Sequence, residues 1–325
     1  MKRLKHSVGS AVLVLMLAMA AAAPPLTQEV KYPVETVTMV VPYAAGGAGD
    51  IVGRLVADEL GTRLGVTFVV ENVGGASGAI GAEQVARAEP DGSTLLLAGN
   101  AIFITAPHLA DVGFDPFVDF TPIANVSEAG RMLVSSKTLP VANVEEFVAY
   151  AKEHPGELNY GSVGVGSTGH VATVDMLNAM GIEATHIPYK GAAEVVQAVL
   201  AGDIQFMMDA AAIPQARQDA VTALAIPGSD RNAEFPDLPA LGELGYDSIS
   251  GTGWQMVMGP EGMDPATVSM LETALQEAVD SPEFSDKLKA AGVWPRFMTS
   301  SMLDSALRSD YDRFGVLLTD LGLAK

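Results

Sequence analysis

The sequence predicts an α/β protein built as two lobes, and three observations lead to this fold class. Short apolar strands alternate with amphipathic helices, the pattern of mainly parallel sheets flanked by helices. The alternation restarts near the middle of the chain, so one lobe is predicted on each side of the restart. A glycine-rich loop lies between an apolar strand and a helix in both halves, at 41–50 and at 160–170.

The first half contains three predicted strands joined by two helices. This order favours a parallel sheet, because parallel neighbours need a crossover connection. The predicted elements are a strand at 37–41, a helix at 50–64, a strand at 67–70, a helix at 80–88 and a strand at 94–98.

The middle of the chain repeats this order. A capping box variant, Asn143 with Glu146, marks the start of its first helix. The predicted strands are 131–135, 158–161, 185–188, 205–208 and 221–226, and the predicted helices are 144–154, 167–180 and 192–201.

The last part of the chain is predicted to return to the first lobe through a strand at 254–259. Three helices follow, and two of them begin with a capping residue before proline, at Asp264 and Ser281. The final helix is predicted from Ser301 to about Leu321. We therefore expect lobe 1 at 34–128 and 253–325, lobe 2 at 129–252, and two hinge crossings.

The N-terminus has the pattern of a secretory signal peptide, predicted at 1–23. Lys2, Arg3 and Lys5 precede an apolar run, and four alanines at 20–23 offer the small residues that signal peptidase needs. The chain has no cysteine, which excludes a lipoprotein anchor and disulfides. A formal net charge of −20 makes nucleic acid and anionic membranes poor partners.

The two glycine-rich loops predict a site for a small anion. The N–H groups in the first turn of a helix have no internal partner, so a helix N-terminus attracts negative charge. The carboxyl ends of strands in an open α/β sheet are where ligands bind, and both loops occupy such ends. Neither loop contains lysine or arginine, so backbone amides would hold the carboxylate or phosphate.

A nicotinamide-dependent oxidoreductase of the Rossmann type is the alternative. The segment 164–169 matches G-x-G-x-x-G, and Glu71 follows Gly47-Ala-Gly49 at about the twenty-residue spacing of a ribose-binding acid. Asp50 argues against it, because this carboxylate stands where a pyrophosphate would bind. The sequence has no G-x-S-x-G and no histidines at metal spacing, so we expect no catalytic residue, metal or cofactor.

Five segments, in this order and spacing, are similar to one family over essentially the whole mature chain. They are VPYAAGGAGD at 41–50, VVENVGGASGAIGAE at 69–83, PDGSTLLLA at 90–98, YGSVGVGSTGH at 160–170 and HIPYKGAAE at 186–194. The chain resembles the Bug (TctC-like) solute-binding receptors of tripartite tricarboxylate transporters.

The resemblance implies a periplasmic, non-enzymatic binding protein with the type II-like Venus flytrap fold. Such receptors bind mono-, di- or tricarboxylates, amino acids or aromatic acids. They deliver them to a membrane permease that has a large and a small subunit. A receptor that reports its bound state to a signalling partner stays an alternative.

The resemblance also implies a set of ligand-binding residues, which hold the carboxylate largely through backbone amides and ordered water. Asp50 and Asp209 have alternative roles as helix caps, and His170 is as well explained by packing as by ligand contact. The implied residues are Tyr43, Ala45, Gly46, Gly47 and Asp50 in lobe 1, Ser162, Gly164, Gly166, Ser167 and Thr168 in lobe 2, and more weakly Ser77, Gly78, Asn100 and Asp209.

Overall fold

The computed structural model describes residues 31–229, 231–232, 234–246 and 253–325, and the predicted signal peptide lies outside them. Two sheets flanked by helices form within these residues, as the sequence predicts. The strands are β1 Thr36–Val41, β2 Thr67–Asn72, β3 Thr94–Gly99, β4 Phe120–Ala129, β5 Leu133–Ser135, β6 Asn159–Ser162, β7 Thr185–Pro188, β8 Phe206–Met208, β9 Thr222–Ala225, β10 Gly253–Pro260 and β11 Trp294–Thr299.

Lobe 1 contains a six-stranded sheet in the order β11-β4-β10-β3-β1-β2, and lobe 2 a five-stranded sheet in the order β7-β6-β8-β5-β9. The helices of lobe 1 are α1 Ala48–Leu64, α2 Ala79–Ala86, α3 Ala101–Ile104, α4 Ala106–Leu109, α9 Pro265–Asp280, α10 Pro282–Ala290 and α11 Ser300–Asp320. Those of lobe 2 are α5 Val144–Glu153, α6 Thr168–Met180, α7 Ala192–Ala201 and α8 Ile213–Arg217.

Both sheets are mixed, whereas we expected mainly parallel ones. In lobe 1, β1 pairs in parallel with β2 and β3, but β10 is antiparallel to β3 and β4. In lobe 2, β6 pairs in parallel with β7 and β8, but β5 is antiparallel to β8 and β9. The antiparallel pairs involve β4, β10 and β11 in lobe 1 and β5 in lobe 2.

Two strands of lobe 1 were absent from the prediction. β4 lies between β10 and β11, and Asn125 and Ser127 are fully buried in it. Buried polar residues and Pro122 hide the apolar pattern on which strand prediction depends. Asn125 Nδ2 donates to the Arg296 carbonyl oxygen at 2.7 Å, which satisfies the buried NH₂ group next to β11.

Apolar side chains cover both faces of each sheet. Met39 and Val40 are adjacent in β1 and belong to different core clusters, because successive side chains in a strand point to opposite faces. Met207 and Met208 divide in the same way in lobe 2. This arrangement fixes the strands and brings the loops at their carboxyl ends to one edge of each sheet.

The lobes also contact each other away from these loops. Val171 of α6 packs into a core cluster that otherwise comes from lobe 1, including Phe314 of α11. Arg313 of α11 forms an ion pair with the buried Asp175 of α6, at 3.4 Å between Nη1 and Oδ2. At the first crossing, Gly130 has no room for a side chain because the Trp294 ring covers it.

Candidate functional site

The first glycine loop is held in shape by Asp50. Its buried carboxylate accepts hydrogen bonds from the Gly46 amide at 2.8 Å, Asn72 Nδ2 at 2.9 Å and Arg54 Nε at 3.1 Å. Hydrogen bonds from the Gly46 amide and the Arg54 guanidinium lower the pKa of Asp50 to about 2. Burial raises this pKa, but by less than the hydrogen bonds lower it. The carboxylate is therefore ionised and faces into the loop.

Helix α1 begins directly after this loop. Its N-cap is Gly47, with no side-chain capping bond, so Asp50 is the third residue of the helix and not its N-cap. Ala45, Gly46 and Gly47 are exposed. The Gly46 amide is taken by Asp50 and the Gly47 amide lies 3.4 Å from the Ala44 carbonyl oxygen, so this N-terminus already holds one carboxylate, that of Asp50.

Tyr43 connects the first loop to the end of β3. Its hydroxyl accepts a hydrogen bond from the Gly99 amide at 2.8 Å. Burial raises the pKa of Tyr43, so the hydroxyl keeps its proton and can donate it to a ligand. A Cβ at Gly49 would overlap the Tyr43 ring, which explains glycine at that position.

The loop after β2 has an unusual backbone. Four consecutive residues have positive φ: Gly75, Ala76, Ser77 and Gly78. Left-handed backbone is unfavourable for residues with a Cβ, and such strain clusters at ligand sites. Ser77 is exposed at the tip of this turn, while Gly78 is buried beneath Ile102.

Asn100 continues β3 into α3 and is 4% exposed. Its Oδ1 accepts from the Trp254 amide at 3.2 Å, and its own amide donates to the Trp254 carbonyl oxygen at 3.2 Å. These bonds tie the end of β3 to the start of β10.

The second glycine loop is organised around Ser162. The Ser162 hydroxyl is buried and contacts the Gly164 carbonyl oxygen at 3.0 Å and His186 Nε2 at 2.7 Å. At the other end of the loop, Ser167 is the N-cap of α6, and its Oγ accepts from the His170 amide at 3.2 Å. Ser167 therefore satisfies one of the first amides of α6.

Two histidines stack beneath this loop, a contact that sequence reasoning missed. The rings of His170 and His186 lie 3.9 Å apart between centroids with planes at 17°. His170 Nδ1 accepts from the Gly166 amide at 3.0 Å, so that nitrogen carries no proton. Burial lowers the pKa of both groups, and His170 adds to the effect on His186, whose pKa is about 4.

Arg131 is a second residue that sequence reasoning missed. It lies between β4 and β5, is 8% exposed, and donates from Nη1 to the Thr168 carbonyl oxygen at 2.9 Å and from Nη2 to Thr168 Oγ1 at 2.7 Å. Burial lowers the pKa of Arg131, and the negative charge of Asp209 opposes that shift. The Asp209 carboxylate caps the turn after β8 by accepting from the Ala211 amide at 2.9 Å.

A cavity of about 410 Å³ lies between the lobes. Ser77 of lobe 1 and Gly166, Ser167 and Thr168 of lobe 2 line it together. Ser162 and Asp209 line a smaller pocket within lobe 2. The other implied residues lie outside the wall of the large cavity: Tyr43, Ala45, Gly46, Gly47, Asp50, Gly78, Asn100 and Gly164.

Comparison with known proteins identifies the family of this chain. The profile of the tripartite tricarboxylate transporter family receptor, TctC, matches residues 52–323. The chain belongs to this family. The receptor is similar to a TctC solute binding protein from Polaromonas, solved with no ligand, at 28% identity and a TM-score of 0.83, over 89% of this chain and 100% of that one.

Two further solved structures are similar to the receptor. Rpa4515 of R. palustris, solved with adipate, is 30% identical with a TM-score of 0.69, over 90% of this chain and 99% of that one. MatC of Rhodopseudomonas palustris, solved with bound malate, is 29% identical with a TM-score of 0.63, over 88% of this chain and 100% of that one. These likenesses confirm the two-lobed binding-protein fold.

Within the ranges that the structure describes, no helix of the receptor is both long and apolar enough to span a bilayer. The same residues contain no cluster of three or more histidine, aspartate and glutamate side chains that could hold a metal ion.

Proposed function

We propose that this receptor binds a small organic carboxylate between its lobes, in the periplasm, and delivers it to a tripartite tricarboxylate transporter permease. The observation that carries this proposal is the cavity shared by Ser77 of lobe 1 and the N-terminus of α6 in lobe 2. Its volume of about 410 Å³ is in the range typical of small-molecule sites. The adipate and malate bound by similar proteins support a carboxylate as the ligand class.

The chemistry of the second loop supports an anionic ligand. Arg131 places a buried cation behind Thr168, the first residue of α6. A hydrogen bond to a charged group contributes about 1.5–3 kcal/mol, so three or four of them are enough for micromolar binding. The hydroxyl groups of Ser77, Ser167 and Thr168, which line the cavity, are the donors that we propose for these bonds.

Residues of both lobes line the cavity, which supports a hinge that closes on the ligand. We infer that ligand shifts the population of the receptor towards a closed form.

Calorimetry with the purified mature protein tests the proposed binding. We would titrate a panel of aliphatic and aromatic carboxylates after a thermal-shift screen. A ligand at a hundred times its Kd should add about 2.7 kcal/mol of stability. Small-angle scattering should show a smaller radius of gyration with the best ligand. No binding by any carboxylate, or turnover of the bound acid, would refute a carboxylate receptor.

Delivery to a permease needs a separate test in cells. Uptake of the identified acid should depend on this receptor and on one membrane pair of a large and a small subunit. A receptor that serves a signalling partner would instead leave uptake unchanged and alter gene expression when the acid is added.

A further inference from the structure

Helix α6 of lobe 2 has one face that lies against lobe 1. Thr168, Val171 and Asp175 follow a spacing of i, i+3 and i+7, so they share one face of the helix. Thr168 lines the cavity between the lobes, and Val171 packs into the core cluster of lobe 1. Asp175 forms its ion pair with Arg313 of α11. This face therefore extends for about 10 Å, from the cavity to α11.

The contact between α6 and α11 is buried and includes charged groups. Val171 is fully buried, and Phe314 of the same cluster is 3% exposed. Arg313 also donates from Nη2 to Asp310 Oδ1 at 2.5 Å, within α11. We call these five residues the α6–α11 contact: Val171, Asp175, Asp310, Arg313 and Phe314. Opening it would expose apolar surface and leave the buried Asp175 without its cation, which is strongly destabilising.

The lobes are joined at a second place, beside the first crossing. Trp294 of β11 is 8% exposed, and its Nε1 donates to Glu234 Oε2 of lobe 2 at 2.7 Å. The Phe235 ring meets the Trp294 ring at 73°, with centroids 6.1 Å apart. A rigid lobe that is held at two places keeps a single rotation, about the line that joins them.

Resting on the proposed function, we propose that the α6–α11 contact is the pivot of the receptor: a bound carboxylate closes the lobes by a rotation that leaves the Arg313–Asp175 pair intact. The change in backbone angles in such a motion is confined to a few residues, and the two crossings between the lobes supply them. Arg313 and Asp175 are then positioning residues. They hold α6, and with it Thr168 in the cavity wall, against lobe 1.

Distances between spin labels, measured by double electron–electron resonance, test the pivot. The chain has no cysteine, so labels attach only where a cysteine is introduced. One pair, Asn178→Cys with Ser309→Cys, uses exposed positions on α6 and α11 beside the contact. The second pair, Ile51→Cys with Ala193→Cys, uses exposed positions in the first turns of α1 and α7, which follow the carboxyl ends of strands in the two lobes.

The probe is malate, adipate or benzoate, whichever binds most tightly by calorimetry. On its addition the distance in the second pair should shorten, and the distance in the first pair should stay within its ligand-free distribution. A first pair that moves as far as the second, or a second pair that does not move, would overturn the inference and leave carboxylate binding standing. No binding by any carboxylate would refute the proposed function itself.

Arg313→Ala provides a second arm that needs no ligand. It should broaden the distance distribution of the first pair, whereas Arg313→Lys keeps the charge and should restore a narrow one. Arg308→Ala is the matched control, because Arg308 is exposed and pairs with Asp304 of the same helix, so the distribution should not change. An unchanged distribution in Arg313→Ala would overturn the inference. If that variant does not fold, Asp175→Asn takes its place and is judged by the same outcomes.

Discussion

Arg131 holds Thr168 by both its backbone and its side chain, with bonds of 2.9 Å to the carbonyl oxygen and 2.7 Å to Oγ1. Thr168 Oγ1 accepts a hydrogen bond from the guanidinium. The hydroxyl proton of Thr168 is therefore free to point into the cavity. Hydrogen bonds in such a chain polarise one another, so the buried cation strengthens Thr168 as a donor. A loop without lysine or arginine thus gains positive charge from a residue that is distant in the sequence.

Replacing Arg131 by methionine should weaken both ligand binding and folding. The substitution removes the cation and both bonds to Thr168, and we expect the Kd of the best carboxylate to rise about tenfold to a hundredfold. The Thr168 carbonyl oxygen loses its donor as well, so the free energy of unfolding should fall by about 1–3 kcal/mol. Calorimetry measures the Kd, and urea unfolding measures stability.

Arg131→Lys is the matched variant for this prediction. It keeps the charge but loses the planar fork that reaches two oxygens, so its Kd should lie between the other two values. Unchanged affinity in a folded Arg131→Met would show that Arg131 only supports the loop.

Acidification should destabilise the receptor through the stacked histidines. The pKa values of His170 and His186 are lowered in the folded state, that of His186 to about 4, so the unfolded chain binds more protons as pH falls. Stability therefore decreases from about pH 6.5, the ordinary histidine pKa, down to about pH 4. Protonation of His170 would also remove its bond from the Gly166 amide.

Thermal unfolding between pH 7.5 and pH 4.5 measures this effect. His186→Gln removes one titrating ring and keeps a polar group near Ser162, so its Tm should fall less over this range than that of the natural sequence. His154→Gln changes a half-exposed ring far from the loop and serves as the control. Equal pH dependence in all three proteins would contradict the prediction.

Loss of the Asp50 charge should loosen the first glycine loop. Asp50→Asn places an NH₂ group against donors from Gly46, Asn72 and Arg54, so we expect a loss of about 2 kcal/mol in the free energy of unfolding at pH 7. Asp58→Asn on the same helix is exposed and should change stability little. Urea unfolding compares the two, and equal values would contradict the role of Asp50.

The Asp50 charge also has a pH dependence of its own. Because its folded pKa is about 2, its contribution is present above the ordinary aspartate pKa of about 4 and is lost between pH 4 and 2. This window lies below that of the histidines, so the two effects can be separated in one series of unfolding curves.

The fold was more predictable from the sequence than the site. Strands β1 and β3 are short, largely apolar runs, TVTMVV and TLLLAG, and their pattern is local. β4 was missed because Asn125 and Ser127 are buried in it, with a partner on β11 that only the tertiary structure supplies. Arg131 and Thr168 are 37 positions apart, and Ser162 and His186 are 24 apart, so no local pattern reveals these contacts.

Ser77 should lower the stability of the receptor and strengthen its binding of the ligand. It has a left-handed backbone with φ of 55°, which costs a residue with a Cβ about 1–2 kcal/mol. Glycine removes that strain. Its greater freedom in the unfolded chain lowers the free energy of unfolding by about 0.4–1 kcal/mol, so the net gain in stability for Ser77→Gly should be about 0.5–1 kcal/mol. Its Kd should rise about tenfold, because the loop loses a hydroxyl that lines the cavity.

Asp219→Gly is the matched control, because Asp219 also has a left-handed backbone, with φ of 53°, and does not line the cavity. Its exposed ion pair with Lys137 contributes little, so the substitution should raise stability by a similar amount and leave the Kd unchanged. Urea unfolding and calorimetry on both variants separate the two effects. If Ser77→Gly gains stability and binds as tightly as the natural sequence, the strain at Ser77 serves no purpose in ligand binding.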